Sequence, residues 1–392
     1  MILAHKIRLE PNNKQRTYLA KAAGTARFAY NWALDEWTRR YNAGIKTTEM
    51  DLRRQLNAIK QVKYPWMTEV TKCAPQLAIM NLGSAFTNYK NKRAAFPKFH
   101  KKGHNDSFEI SNDQFKVEGK RIRIPNLGWV RMTERLRFNG KIMGAAISLK
   151  ADRWFASIQV EMPDAVPIHS SACENQAVGV DLGVHNLAVL SDGTVIPGTK
   201  PHKALLSRIR LLNRSLSRKK GAKKGEAKSG NFRKTQKKLS VLHAKAANIR
   251  NDETHKLTSM LVKDYSIIGI EDLNVSGIVK NHRLARSVLD MSFYEFRRQI
   301  GYKSKITGSV VVTADRFYPS SKTCSVCGNI LDKQIPLSVR AWRCPVCDAY
   351  HDRDHNAAIN LMNNAVSYTV YACGETVETI TSMKQELNVK TD

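Results

Sequence analysis

The chain has 392 residues, with 64 Lys or Arg against 34 Asp or Glu, a formal net charge of +30 and a mean hydropathy of −0.41. A hydrophobic share of 42% provides cores to bury and excludes wholesale disorder, and the length suits two or three domains. No apolar run reaches the roughly 18–20 residues of a membrane span. Charges also stand where a secretory leader would have its apolar stretch, so a cytoplasmic, nucleoid-associated protein with no membrane partner is expected. A positive surplus of this size repels itself unless a polyanion is present, which points to a long nucleic acid held in a basic channel.

Residues 1–9 alternate as a strand, and Pro11 ends it. Helical spacing of Tyr18, Leu19, Ala22, Ala26, Phe28 and Ala29 then carries a helix to about Tyr41. Further helices fit 48–61 and 76–96, the last running into a basic turn that holds Phe96 and Phe99. From Ser107 to Met162 short strands with glycine turns replace the helices, the pattern of a small barrel that the first strand is placed to close. Residues 163–176 read as a linker. A new domain opens near Ala177 as strand, turn and strand.

Residues 203–250 hold 16 Lys or Arg and one acid, Glu226. Leu206, Ile209, Leu212 and Leu216 keep helical spacing, as do Leu239, Leu242, Ala246 and Ile249, so a helical hairpin with a loose tip around 217–231 is expected. Its one-signed charge suits RNA or DNA. Residues 265–272 and 310–315 read as buried strands that end in acid, and 354–366 as a helix. Residues 367–392 carry no periodicity and are expected to be a mobile tail. Core packing is the better reading of Phe28 and Trp32, although the aromatic-basic mixtures at 32–41 and 96–102 also suit a nucleic-acid contact.

Seven cysteines, an odd number, argue against a disulfide framework. Cys73, Cys173 and Cys373 are isolated and read as reduced thiols. Cys324 and Cys327 form one CxxC knuckle and Cys344 and Cys347 another, with sixteen residues between them. That is zinc-ribbon spacing: each tight turn offers two soft thiolates, and a hairpin joins the turns into a tetrahedron. Four thiolates fill the coordination sphere, so one structural Zn²⁺ is expected, with no open position for a catalytic water.

Three acids stand where regular structure ends or begins, each framed by small or apolar residues: Asp181, Glu271 and Asp354. An acid in such a setting is costly unless it binds something positive. Converging, the three would repel, and hard Mg²⁺ relieves that repulsion. Two such ions about 3.5–4 Å apart activate a water and stabilise the leaving oxygen of a phosphodiester. Each acid also has a plain reading: Asp354 as an N-terminal helix acid, Asp181 as a turn residue. Strand alternation puts Glu271 and Asp272 on opposite faces without saying which face is the site, and Asp352 competes with Asp354.

The order GVDLG, IGIEDL, then FYPSSKTCSVCG and WRCPVCDAYHDRDHNAAIN resembles the TnpB proteins of bacterial insertion sequences, which are similar to compact type V CRISPR effectors. The resemblance extends to RLEPNNKQ and GTARFAYNWAL near the start and to PNLGWV near residue 125. It implies a multidomain α/β plus β-barrel chain: a wedge-type barrel (1–10 and 100–165) with a helical recognition insertion (11–99). It further implies a RuvC-like RNase H fold (177–320 and 350–368) with an inserted zinc ribbon (321–349) and a tail (369–392). It implies Asp181, Glu271 and Asp354 as the catalytic acids holding Mg²⁺, favouring Asp354 over Asp352, and the four knuckle cysteines as zinc ligands. Lys72 and Gln76 would face a short duplex motif beside the target. The implied function is an RNA-guided DNA endonuclease that binds one guide RNA per monomer and hydrolyses double-stranded target DNA with water, not by strand transfer. The alternatives are a relative that binds but no longer cuts, and an unguided zinc-ribbon protein. One departure from many relatives is Ser304-Lys305-Ile306-Thr307, where an aromatic pair is more usual; altered packing is expected there.

Overall fold

The computed structural model describes residues 1–162, 176–220, 227–274, 277, 280, 285–333, 335–336 and 338–373, in two units, residues 1–164 and 165–392. The linker expected over 163–176 lies, apart from Gln176, outside the described residues. So do the middle of the hairpin tip, 221–226, and the tail from 374 onward.

The first unit runs β1 (Ile2–Arg8), α1 (Asn13–Asn42), α2 (Glu49–Lys63) and α3 (Cys73–Lys90). Strands β2 (Ser107–Ser111), β3 (Lys116–Glu118), β4 (Arg121–Ile124), β5 (Gly128–Arg131), β6 (Lys141–Lys150) and β7 (Arg153–Glu161) follow. A capping box starts α1: Asn12 accepts from the Gln15 amide at 2.9 Å, and the Gln15 side chain accepts from the Asn12 amide at 3.0 Å. Small residues at helical spacing then let α1 pack closely and serve two cores. Leu19, Ala22 and Ala26 join the core of the sheets, while Ala29, Ala33 and Leu34 meet Leu52, Ile79 and Leu82 of α2 and α3. Phe28 and Trp32 pack against that helical core, as expected.

The strands form a four-stranded sheet, ordered β1-β7-β6-β2, and a three-stranded one, ordered β3-β4-β5. A bridge between Leu9 and Met132 joins them, and both feed one core through residues such as Ile7, Ile122 and Ile147. The first strand pairs along β7 from Ile2 opposite Glu161 to Arg8 opposite Phe155. The third helix is shorter and earlier than the expected 76–96. Pro75 fits its first turn, so the helix begins ahead of it, and the chain leaves the helix before Lys92, whose φ is 55°.

The second unit runs β8 (Ala177–Asp181), β9 (Asn186–Leu190), β10 (Val195–Pro197), α4 (Pro201–Ser217), α5 (Gly230–Asp264) and β11 (Ile267–Ile270). Then come α6 (Ala285–Met291), α7 (Phe293–Thr307), β12 (Val310–Thr313), β13 (Ala341–Arg343), β14 (Tyr350–Asp352) and α8 (Arg353–Cys373). A five-stranded sheet is ordered β10-β9-β8-β11-β12, with β8, β11 and β12 parallel. Its central strands are continuous apolar runs because both faces are covered. The basic hairpin is α4 and α5, with Ile209, Leu242 and Ala246 buried between solvent-facing cations. Helix α5 continues past the expected 250 to Asp264, since Thr254, Leu257, Thr258 and Leu261 extend the buried stripe. Helix α8 likewise runs to Cys373 and takes in residues 367–373 that were expected to be tail; Thr369 is buried there and donates to the Ala365 carbonyl at 2.7 Å. Among the described residues no helix is long and apolar enough to cross a membrane.

Helix α8 rests directly on the backbone of two strands. A Cβ on Gly179 of β8 would overlap the Ala358 carbonyl oxygen, and one on Gly269 of β11 would overlap that of Leu361. Only glycine allows that approach. Gly179→Ala is therefore expected to cost roughly 1–3 kcal/mol through overpacking and to lower the thermal midpoint of the second unit. Gly230→Ala, which meets nothing within 4 Å, serves as the neutral control. Equal midpoints for the two variants would show that α8 does not bear on β8.

Candidate metal centres

Strand register brings the first two acids together. Val180 lies opposite Ile270 across the parallel β8–β11 pair, so Asp181 and Glu271 are the next residues along, side by side at the carboxyl ends. Alternation then decides the face. Gly179 and Gly269 both face α8, and Asp181 and Glu271, two residues on, share that face. Asp354 sits in the first turn of α8, one turn before the Ala358 carbonyl that Gly179 admits. The charges of the three acids act on one another, and all three are partly buried. Burial, then the charges of Glu271 and Asp354, push the Asp181 carboxyl well above the usual carboxylate range. Burial also raises Glu271, against the pull of a hydrogen bond from Ser320 Oγ to its Oε1 at 2.7 Å. Two buried strand acids that resist ionising, with the Asp354 charge beside them, offer the hard oxygen donors that divalent cations take.

The two competing acids have other work. Asp272 points away from this centre and receives hydrogen bonds from Arg297 and from Arg316, the latter at 2.7 and 3.1 Å. Those arginines hold its carboxyl below the usual range. Asp352 caps α8, accepting from the amides of Asp354 at 3.1 Å and His355 at 2.9 Å. The helix-cap role weighed for Asp354 thus belongs to Asp352, and the Asp354 carboxylate is not spent on the helix end.

The four knuckle cysteines gather as their spacing predicts. Their sulfurs all lie within 4.8 Å of one another, with Cys324–Cys347 and Cys327–Cys344 separations of 3.6 Å. A Zn–S bond of about 2.3 Å gives a tetrahedral S–S edge of about 3.8 Å, so the cluster fits zinc. His351 Nε2 lies 3.0 Å from Cys324 Sγ, the kind of outer contact that orients a thiolate ligand. Gly328, at φ 76°, completes the first knuckle.

Sequence reasoning missed the residues that fasten the two centres to each other. Asn356 and Asn360, both buried on α8, donate to the Thr323 carbonyl at 2.8 and 2.7 Å; Asn360 also reaches the Ser320 carbonyl at 2.8 Å. Asn356 accepts in turn from the Ser325 amide at 3.0 Å. From the other side of the ribbon, Arg340 donates to both Asp354 oxygens at 3.1 and 3.2 Å. The β13–β14 register, Ala341 opposite Asp352, explains that reach. The available signal was polar residues at helical spacing on an otherwise apolar helix.

Lys72 and Gln76 lie in the first unit, Lys72 exposed just ahead of α3 and Gln76 half-buried in its first turn. The departing segment Ser304–Thr307 ends α7 and feeds β12, so it lies at the amino ends of the parallel strands, opposite the acids. There Thr307 Oγ1 pairs with Ser309 Oγ at 2.9 Å, and burial brings Lys303 down to about 8 while its ammonium donates to the Thr258 hydroxyl at 2.6 Å.

Family models match three stretches. One described as a helix-turn-helix domain covers residues 1–46, a "Probable transposase" model of the IS605 OrfB type covers 157–282, and a Cas12f1-like TNB domain covers 293–361. A solved chain of a Cas12f1–sgRNA–target DNA complex shares the mixed α/β fold with a TM-score of 0.51 at 14% identity, over 89% of this chain and 83% of that one. A curated relative from Streptomyces pristinaespiralis is 32% identical over 95% of this chain and 91% of its own. Another, described as "Putative RNA-guided DNA endonuclease InsQ" of Escherichia coli K12, is 34% identical over 98% of this chain and 96% of its own. Identity at that level along nearly the whole of both chains is family membership, and the chain belongs to the TnpB family encoded by insertion sequences.

Proposed function

We propose that this chain is an RNA-guided DNA endonuclease that hydrolyses phosphodiesters with Mg²⁺ at Asp181, Glu271 and Asp354. The observation that carries the reading is the grouping of three carboxylates in which burial, and then the charges of Glu271 and Asp354, raise Asp181. The RNA-guided part of the reading rests on the near-full-length relatives, whose descriptions name RNA-guided DNA endonucleases. The five-stranded sheet with acids at its carboxyl ends supports a RuvC-like RNase H reading, and the paired sheets of the first unit support a wedge-type barrel.

Mg²⁺ bound by the three acids would supply the charge that activates water and stabilises the leaving oxygen. The protein's own residues prepare for it. Ser320 orients Glu271, Asp352 fixes the start of α8, and Arg340 offsets charge at Asp354. The ribbon would hold one Zn²⁺ at its four cysteines and is clipped to α8 by Asn356 and Asn360 and to Asp354 by Arg340. The solvent-facing cations of α4 and α5 suit the RNA or heteroduplex backbone, while Lys72 and Gln76 are assigned to the target-adjacent motif. A binding-only relative is the weaker reading, because all three acids are present and converge.

The deciding assay co-expresses the chain with its flanking noncoding RNA and offers a guide-matched plasmid target beside randomised bases. Cutting should require the guide, Mg²⁺ and Asp354, and Asp354→Ala should abolish it; guide-dependent binding without cutting by the unmodified chain would overturn the nuclease reading. Metal-free stability gives a second test. Asp181 and Glu271 have raised folded-state values, so their contribution is present below the unfolded carboxylate range and is lost as pH rises through the folded values. Asp181→Asn should therefore raise the thermal midpoint of metal-free protein at pH 8 and not at pH 4, and should remove the stabilisation that Mg²⁺ gives the wild type. A midpoint unchanged at both pH values would contradict the convergence. Elemental analysis should find one zinc per chain, and Cys344→Ser should release it. Loss of the metal removes on the order of 10–16 kcal/mol of binding energy from the ribbon, so guided cutting should fall with it. Full cutting by a zinc-free protein would separate the two centres.

A further inference from the structure

Two large aromatic side chains stand in solvent, Phe317 just past the carboxyl end of β12 and Tyr294 at a cavity that Glu271 also lines. Phe317 is 87% exposed and Tyr294 is 73% exposed. Phe317 is held out by a fixed turn. Its amide donates to Asp315 Oδ1 at 2.8 Å, and the Tyr318 amide donates to the Asp315 carbonyl at 3.0 Å. Its two neighbours are tied inward: Arg316 reaches Asp272, and the Tyr318 hydroxyl donates to the Asn360 carbonyl at 3.2 Å. The backbone is pinned on both sides, and only the ring of Phe317 projects. Tyr294 follows buried Phe293 at the start of α7 and lines a cavity of about 390 Å³ together with Glu271, Asp272, Arg297 and Arg316. A second cavity, of about 230 Å³, shares Glu271 and Arg316 and reaches Tyr318. Glu271 thus borders both cavities, with Tyr294 lining the first and Phe317 next in the chain to Arg316, which lines both.

We propose that Phe317 and Tyr294 form a stacking platform for unpaired bases of the DNA strand delivered to the three acids, an inference that rests on the nuclease reading above. The ring faces suit any base, which matches a protein that leaves sequence reading to a guide. Arg297 and Arg316 line the cavities together with Glu271, Asp272 and Asp315, so the ring faces, not a surplus of positive charge, argue for the strand. The occupant is a single strand, because paired bases in a duplex offer no free face to a side chain.

The test uses the full chain with its guide RNA and Ca²⁺ in place of Mg²⁺, and follows binding of a labelled single-stranded DNA across a salt series. The Phe317→Ala/Tyr294→Ala double variant should bind about tenfold or more weakly at every salt concentration, with an unchanged slope of log affinity against log salt. Phe317→Trp should retain wild-type affinity. An abasic strand should bind wild type and double variant equally. Wild-type affinity in the double variant, or an equal loss on the abasic strand, would overturn the platform. A loss confined to guide RNA would also overturn it, and would assign the rings to RNA. Wild-type protein that binds the strand but never cuts a guide-matched target with Mg²⁺ overturns the nuclease reading instead, and the binding comparison still decides the platform.

Discussion

Three carboxylates held together without a cation repel one another, and the second unit is organised around holding them there. The device is close backbone approach. Gly179 and Gly269 let α8 settle onto β8 and β11, and each glycine lies two residues before an acid. The same contact that brings the helix down therefore points Asp181 and Glu271 at its first turn, where Asp354 waits. Parallel register does the rest, since Val180 opposite Ile270 leaves the two strand acids at one level. A one-residue slip of β11 would send Asp272 to the centre and Glu271 to the arginines. The ion pairs of Asp272 with Arg297 and Arg316 oppose that slip, so an acid outside the centre helps to fix which acid lies inside it.

The zinc ribbon belongs to the same argument. It is inserted between β12 and α8, immediately before Asp354, and so a loose ribbon would mean a loose acid. Two clips prevent this. Asn356 and Asn360 bind the carbonyls of Ser320 and Thr323, which fixes the strap whose Ser320 holds Glu271. Arg340 on the far side holds Asp354. Buried amide side chains are expensive unless every donor is satisfied, and here their donors meet carbonyls that the knuckle turn would otherwise leave unpaired. A metal that closes the knuckles therefore stiffens the same segment that positions two of the three acids.

The sequence made some parts plain and hid others, for physical reasons. Cys324, Cys327, Cys344 and Cys347 were legible because soft-metal ligation imposes a spacing that chance rarely meets. Asp181 and Glu271 were legible because acids at the ends of apolar strands stand out. The choice of Glu271 over Asp272 was not, since alternation gives two faces and only the packing of α8 selects one. Nor was the capping role of Asp352, which depends on where the helix starts to within one residue. Asn356, Asn360 and Arg340 look like surface residues in the sequence; their partners lie 14 to 40 positions away and become neighbours only when the ribbon folds back. The helix ends at 264 and 373 were missed because charge bias and low periodicity were read as boundaries while a sparse buried stripe continued beneath them.

The uneven legibility has a functional cause. An enzyme that reads its target by base pairing needs side-chain chemistry at few points and backbone attraction at many. Chemistry at few points leaves compact motifs, and these fall in the second unit, where metal geometry tolerates little variation. Attraction at many points leaves only a charge balance, +30 here, spread over helices such as α4 and α5 whose individual lysines are interchangeable. In the first unit the alanine stripe of α1 and the interior of the two sheets yield to hydrophobic periodicity, but no residue there is forced by reaction chemistry. Contacts such as those assigned to Lys72 and Gln76 depend on the shape of a bound duplex, which no pattern along a single chain encodes.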